Sequence, residues 1–368
     1  MNKAIKYRIC PTAEQEIMFN KTFGCCRKIY NLMLEDKIKS YEETKSFGKQ
    51  SPAMYKDEYP YLREVDSLAL SNVELNLKAA MKNHFDKKRK KQTGFPKFKS
   101  YKRSRRAYTT NNQNGTVDII GNKYIKLPKI GKVKAVIHRE PDADWKLKSV
   151  TISKDSDGKY YASVLFEYDK IIEPIENPTK FIGLDYKSDG LYMDSEGYSP
   201  KGHKYFRQGQ KKLARAQRKL KHKKVGSKNY EKQKLKIAKI HKHIANQRKD
   251  FLHKESTKIT NLYDVVCVET LDMKAISNKG FHNGKATMDN GYGMFLNFLE
   301  YKLADRGKYF IKIDKWYPSS QLCSECGSKK KLSLKDRVYK CECGLSIDRD
   351  INAAINILNE GLRMLEAA

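Results

Sequence analysis

Acidic residues are missing where this chain is most charged. Residues 87–106 contain eleven lysines and arginines and no acid, and residues 201–249 contain nineteen with a single acid, Glu231. The 368-residue chain has 75 basic and 43 acidic residues, a net charge of +32, and nearly all of that excess resides in the two runs. A solvated helix face accounts for a short basic run. Two runs that hold the excess of a whole chain point instead to a polyanion, because each phosphate neutralised releases condensed counterions. Also absent is any apolar stretch near the roughly 18 residues that span a bilayer, so no membrane partner is expected. The N-terminus, Met1-Asn2-Lys3-Ala4-Ile5-Lys6, lacks the long apolar core of a secretory signal. A reducing, cytosolic setting follows as an expectation. No internal repeat is found, and the length suits two or three domains with a sizeable core.

Cysteine is present eight times, and half of these residues fall in one pattern. Cys323-x-x-Cys326 and Cys341-Glu342-Cys343-Gly344 form two close pairs with fourteen residues between them. Four thiolates at that spacing suit one tetrahedral structural zinc, although the second pair is the tighter Cys-x-Cys form. Lysines at 329–331 and 335 suit nucleic-acid contact by this ribbon as well, a purely structural role being the alternative. Cys10, Cys25, Cys26 and Cys267 are expected to be small core residues.

The periodicities outline the rest. Lys3 to Ile9 reads as a strand, and Thr12 with Gln15 is spaced as a capping box for a helix carrying Phe19, Phe23, Cys26, Tyr30 and Met33. A second helix is expected over Ser67 to Lys91. In Gly94-Phe95-Pro96-Lys97-Phe98-Lys99 and Tyr101, bases interleave with rings, which suits phosphate binding with base stacking; a hinge with its rings tucked inward is the alternative. Short alternating runs at 117–120, 133–136, 150–153 and 160–168, with an Asp157-Gly158 turn, read as a small β-barrel. Beyond a proline-bearing linker come strands Phe181–Asp185, Leu191–Asp194, Val265–Glu269 and Tyr309–Ile313. Between them lies a basic helical hairpin broken at Gly226-Ser227. A helix is expected over Met294–Leu303, and the polar stretch Ser277 to Gly293 reads as a mobile lid.

Two of these strands end in a lone carboxylate, Asp185 and Glu269, whereas Asp194 begins the next turn, Asp194-Ser195-Glu196-Gly197. A third acid opens the C-terminal helix at Asp348-Arg349-Asp350-Ile351-Asn352-Ala353-Ala354. Three acids brought side by side, as in a ribonuclease H fold, suit a two-metal nuclease, since magnesium takes a few hard oxygen ligands and keeps some waters. A strand-end carboxylate taken alone is usually only solvated. Asp348 competes with Asp350 for the third place. Nothing offers a tyrosine nucleophile beside a paired-histidine metal site, so a strand-joining transposase fits poorly.

Several of these segments together resemble TnpB, the OrfB-type, RNA-guided DNA nuclease family of insertion sequences related to compact type V CRISPR effectors. The likeness runs nearly end to end. It is carried by Tyr7-x-x-x-x-Pro11-Thr12-x-x-Gln15, Arg27-x-x-Tyr30-Asn31, Gly94 to Lys99, Gly226-Ser227-x-x-Tyr230 and Asn246-x-Arg248-x-Asp250-Phe251-Leu252-His253-Lys254. Its most specific parts are Tyr317-Pro318-Ser319-Ser320-Gln321-x-Cys323-x-x-Cys326-Gly327 and Cys343-Gly344-x-x-x-Asp348-Arg349-Asp350-x-Asn352-Ala353-Ala354. Lys187 departs from the pattern, standing where many relatives have glycine, and the chain after Leu358 is short of a family extension.

The resemblance implies an α/β multidomain chain. A wedge β-barrel (1–12 and 107–175) would receive a helical recognition domain with its basic junction (13–106). A RuvC-like ribonuclease H domain (176–368) would follow, with the basic hairpin at 201–250 and the zinc-ribbon insert at 318–347. It implies Asp185, Glu269 and Asp350 as catalytic acids for two Mg2+ ions, and one structural Zn2+ on Cys323, Cys326, Cys341 and Cys343. It further implies a guide RNA from the transposon end, a double-stranded DNA target beside a short motif, and a monomeric ribonucleoprotein in a prokaryotic cytoplasm, at the nucleoid. Thr110, Asn111, Ser67 and Ser71 match the family's motif-reading segments, with turn capping as the alternative for the Thr-Asn pair. A miniature CRISPR effector with an array-derived guide, or a guided repressor that no longer cuts, are the competing readings.

Overall fold

The computed structural model describes residues 1–86, 88, 93–278, 284–333 and 336–367. Part of the first basic run, the expected helix end at Lys91, residues 279–283 and Lys335 lie outside the described residues. The chain divides into two compact units, Met1–Lys170 and Ile171–Ala368.

The first unit begins with β1 (Asn2–Cys10), whose alternation buries Ile5, Tyr7 and Ile9. Thr12 then caps α1 (Ala13–Thr44), with both arms of the Thr12–Gln15 capping box formed. Two short 3₁₀ turns lead to α2 (Ser67–Phe85), which ends at Phe85. The strands β2 (Arg106–Asn111), β3 (Asp118–Ile120), β4 (Tyr124–Leu127), β5 (Gly131–Val136), β6 (Lys146–Lys154) and β7 (Tyr160–Glu167) follow. With β1 they form one antiparallel sheet in the order β2-β6-β7-β1-β5-β4-β3. The expected barrel is therefore an open half-barrel among the described residues: β2 and the three-residue β3 are its two edges and do not pair. The two helices, inserted between β1 and β2, pack Phe19, Phe23, Ile29, Leu70, Val73 and Leu77 into one core with Val150, Ile152, Val164 and Phe166. Cys25 and Cys26 lie in that core. Cys10 does not: as the last residue of β1 it falls on the outward beat of the alternation and is exposed.

The second unit is built on β8 (Phe181–Lys187), β9 (Leu191–Asp194), β10 (Val265–Glu269) and β11 (Tyr309–Ile313), in the order β11-β10-β8-β9. β8, β10 and β11 are parallel, and β9 is the antiparallel edge. Between β9 and β10 stand the basic helices α3 (Tyr205–Lys221) and α4 (Lys228–Leu262), the second capped by Ser227. Helices α5 (Met273–Ile276), α6 (Gly284–Asn290) and α7 (Tyr292–Ala304) precede β11. The hairpin β12 (Val338–Lys340) and β13 (Ser346–Asp348) leads into α8 (Arg349–Glu366).

Strands buried on both faces read as continuous apolar runs. One face of the sheet, through Ile182, Leu184, Val266 and Val268, packs on Leu252 and Ile259 of α4 and on Phe295 and Leu299 of α7. The opposite face, through Val265 and Cys267, packs on Ile357 of α8. Cys267 is a core residue, as expected. There α8 lies so close that a Cβ on Gly361 would meet Cys267 Sγ at 2.2 Å.

Candidate active site

Residues two apart on a strand share a face, so Gly183, Asp185 and Lys187 all point towards α8. Gly183 lets that helix in, because a Cβ there would sit 2.1 Å from the Ala354 carbonyl oxygen. Val265, Cys267 and Glu269 share the same face of β10. Val268 pairs with Leu184, so Glu269 and Asp185, one residue further, leave neighbouring parallel strands at the same height. Asp350 comes from the first turn of α8, laid across both strands.

The three acids stand within each other's field. Burial pushes the Asp185 carboxyl well above the usual carboxylate range, and the charges of Glu269 and then Asp350 push it further. Burial also raises Glu269, against a hydrogen bond from the Ser319 side chain. Asp348 is placed differently. It is the N-cap of α8, accepting from the backbone N–H groups of Asp350 (2.8 Å) and Ile351 (3.3 Å). One of its carboxylate oxygens, Oδ1, thereby orients the turn that carries Asp350.

Two further groups bear on these acids: Tyr292, which no pattern in the sequence marks, and Lys187, marked there only as a departure from the family pattern. The Tyr292 hydroxyl is fully buried and has no hydrogen-bond partner, and both Asp185 and Glu269 act on it electrostatically. Lys187 places Nζ 3.7 Å from Asp350 Oδ2. The donor set suits hard divalent cations: three carboxylates gathered on one face, with the Asp185 carboxyl raised by the charges of the other two.

The cysteine pairs converge as the spacing requires. The four sulfurs lie within 4.8 Å of one another, with Cys323–Cys343 at 3.6 Å and Cys326–Cys341 at 3.5 Å. Zinc–sulfur bonds of about 2.3 Å place tetrahedral sulfurs about 3.8 Å apart, whereas a disulfide needs about 2 Å, so the geometry fits a structural zinc. Each pair closes on a glycine in the left-handed region, Gly327 (φ 72°) and Gly344 (φ 97°), whose N–H groups bond back to the Cys323 and Cys341 carbonyls. Hydrogen bonding by Ser328 lowers the pKa of the Cys326 and Cys341 thiols, favouring the thiolate form that binds metal.

The knuckle is pinned to α8 by two buried asparagines. Asn352 donates to the Leu322 carbonyl (2.7 Å) and accepts from Ser324 N–H (3.0 Å). Asn356 donates to the Ser319 and Leu322 carbonyls, both at 2.8 Å. One helix thus supplies Asp350, grips the zinc knuckle, and fixes the Ser319 segment that touches Glu269.

Three family models match the chain: "Helix-turn-helix domain" over residues 1–46, "Probable transposase" over 162–279, and "Cas12f1-like, TNB domain" over 292–357. The first spans β1 and one unbroken helix here, without a turn between two helices. A Streptomyces pristinaespiralis protein named "Putative RNA-guided DNA endonuclease" is 33% identical over 371 residues, covering 98% of this chain and 90% of its own. The chain belongs to the TnpB family. The relative called InsQ in Escherichia coli (strain K12), which bears the same name, is 29% identical over 99% of this chain and 93% of its own. A chain solved in a Cas12f1–sgRNA–target DNA complex shares the fold, with TM-score 0.62 and 15% identity over 98% of this chain and 99% of the other.

In this TnpB chain the residues matched to motif reading separate. Ser67 and Ser71 are exposed at the start of α2, one turn apart, and Ser71 Oγ donates to the Ser67 carbonyl. Asn111 is half-buried on β2. Thr110 needs correction: the inward beat of β2 buries it completely, and its hydroxyl, which has no partner, faces the core rather than a groove. Both lie in a strand, and the turn that follows is capped by the neighbouring Asn112, whose Oδ1 accepts from the Val117 N–H at 3.1 Å. Overlooked in the sequence were Asn72 and Asn76 on α2. With Arg27, Lys99, Arg106 and Thr109 they line a cavity of about 160 Å³ beside β2. In the basic junction Phe98 and Tyr101 are more than half exposed, with Tyr101 flanked by Arg27 and Arg106 at 5.4 and 4.6 Å, whereas Phe95 packs edge-on against His84.

The expected lid is tethered in its described part. Asp289 is buried, paired with Arg248 at 3.1 Å, and accepts from the Phe206 N–H at the start of α3. Asn290 Nδ2 donates to the Lys187 and Ser188 carbonyls.

Proposed function

We propose that this protein is a magnesium-dependent, RNA-guided DNA endonuclease of a transposable element, cutting at a RuvC-type centre formed by Asp185, Glu269 and Asp350. The observation that carries the reading is the meeting of these three acids, from β8, β10 and the first turn of α8, on one sheet face. When bound there, a pair of magnesium ions supplies Lewis-acid polarisation of the scissile phosphate and a water nucleophile at neutral pH. The chain supplies the rest. Asp185, with its charge raised in free energy by its two neighbours, is the central ligand. Glu269 is aimed by Ser319, and Asp350 is aimed by the cap that Asp348 places on its turn. The exposed lysines and arginines of α3 and α4 hold the backbones of guide and target. The exposed rings of the 94–101 segment stack on unpaired bases.

The guide comes from the element's own end and the target motif is read as duplex by the first unit, where Ser67, Ser71 and Asn111 stay candidates and the cavity at Asn72 and Asn76 joins them. The domain roles that go with this are a wedge half-barrel, an inserted recognition domain, and a nuclease domain carrying a zinc ribbon. The test is co-purification of bound RNA, followed by cleavage of a plasmid library randomised beside the target, comparing wild type with Asp185→Ala. Magnesium-dependent cuts at one motif, guided by the bound RNA and lost in the variant, are expected. Stable target binding without cutting by wild type would make the protein a guided repressor and sink the catalytic assignment.

A further inference from the structure

Lys187 is the last residue of β8, paired with Leu191 across the turn to β9. Two features fix where its side chain goes. Strand alternation puts it on the face of Asp185, and Asn290 holds the backbone by donating to the Lys187 and Ser188 carbonyls at 3.2 and 2.7 Å. Nζ therefore reaches back to Asp350 Oδ2, and Arg349 stands 3.6 Å from the other oxygen, Oδ1. Both oxygens of the third acid face cations of the chain itself. The Lys187 side chain is 26% exposed and that of Asp350 18%, so solvent screens this pair only in part. At 3.7 Å the ammonium is in ionic contact but beyond a good hydrogen bond, so an incoming anion can draw it away.

We infer that Lys187 is a built-in competitor for the second divalent ion at Asp350. It leaves the centre singly loaded until a DNA phosphate takes over the ammonium. The inference rests on the metal-centre reading given above. A like charge within about 4 Å of a divalent ion weakens its binding by at least about tenfold even at high dielectric. Without DNA, an ion held by Asp185 and Glu269 would bind first, and one that also needs Asp350 would lag. With DNA, a phosphate oxygen offers Nζ another anion, frees Asp350, and is itself positioned over the centre. Lys187 is thus a positioning residue that ties full metal loading to the presence of substrate.

Calorimetric titration of Mn2+ into the zinc-loaded, nucleic-acid-free full chain tests this without measuring cleavage. Wild type is expected to bind one ion at least about tenfold more tightly than a second. Lys187→Met, which keeps the stem and removes the charge, is expected to narrow the gap between the two constants several-fold while Arg349 stays at Asp350 Oδ1; Lys187→Arg is expected to keep the gap. Two equal sites in wild type, or constants unchanged in both Lys187→Met and Lys187→Gln, would overturn the inference. An Asp185→Ala control separates the two levels: Mn2+ binding unaffected by that change would refute the metal centre itself, whatever the Lys187 variants do.

Discussion

At the scale of single residues, the centre depends on a glycine as much as on its acids. Gly183 admits the backbone of α8, and any side chain there must push the helix off β8. Gly183→Ala is expected to cost about 1–3 kcal/mol in urea unfolding. It should also abolish detectable cleavage, because Asp350 moves with the helix. Asp348→Ala is a milder change, removing a cap worth about 1 kcal/mol. It should leave divalent-ion binding in place, whereas Asp350→Ala should weaken it; equal effects on binding would show that the two acids share the ligand role. Asp185 and Glu269 were legible in the sequence because an apolar run ending in one carboxylate is a local pattern. Lys187 and Tyr292 were not, since their place depends on how α8 and α7 lie against the sheet. Thr110 was misjudged for a related reason: its polarity shows in the sequence, but the face of β2 it occupies is set by pairing with β6.

At the scale of elements, the pairing of α4 with α7 contains a lysine that ordinary patterning would place in water. Lys302 is buried and donates to the His253 carbonyl, Ser256 Oγ and Thr257 Oγ1. Burial, aided by Arg306, brings its pKa down to about 8. In the unfolded chain a lysine titrates near about 10.4, so between these values the unfolded state binds more protons. Stability should therefore rise with pH from about 8 to about 10, with the full penalty present below that window. Urea midpoints across this range should show the rise in wild type and a flatter profile in Lys302→Met. A wild-type profile no steeper than that of the variant would refute the shifted lysine. The helices were legible from their period, and the hairpin from Gly226-Ser227. The described part of the expected lid is better tied than its glycine-bearing composition implies, because Asp289 and Asn290 find partners far away in sequence.

At the scale of the whole molecule, α8 joins the cysteine knuckle of the second unit to the proposed acid centre. Asn352 and Asn356 grip the knuckle, and Asp350 stands one turn earlier. Stripping zinc with a chelator, or Cys341→Ser, is expected to speed amide exchange in the first turns of α8 and to lower DNA cleavage. RNA retention by the basic helices should persist under the same treatment. Unchanged exchange in α8 after zinc loss would show that the asparagine clasp does not transmit the state of the knuckle. The four-cysteine pattern was readable in advance because ligand spacing is local. Its coupling to the acids was not, because the bonds that make it run from α8 to a carbonyl-rich turn.

The position of Asp350 in sequence has a temporal side as well. It is the last of the three acids to be synthesised, after both strands that carry the others and after the zinc knuckle. A ribosome therefore releases β8 and β10 with their carboxylates while the third corner of the triangle is still untranslated. The basic helices α3 and α4 therefore leave the ribosome before the helix that completes the proposed triangle of acids.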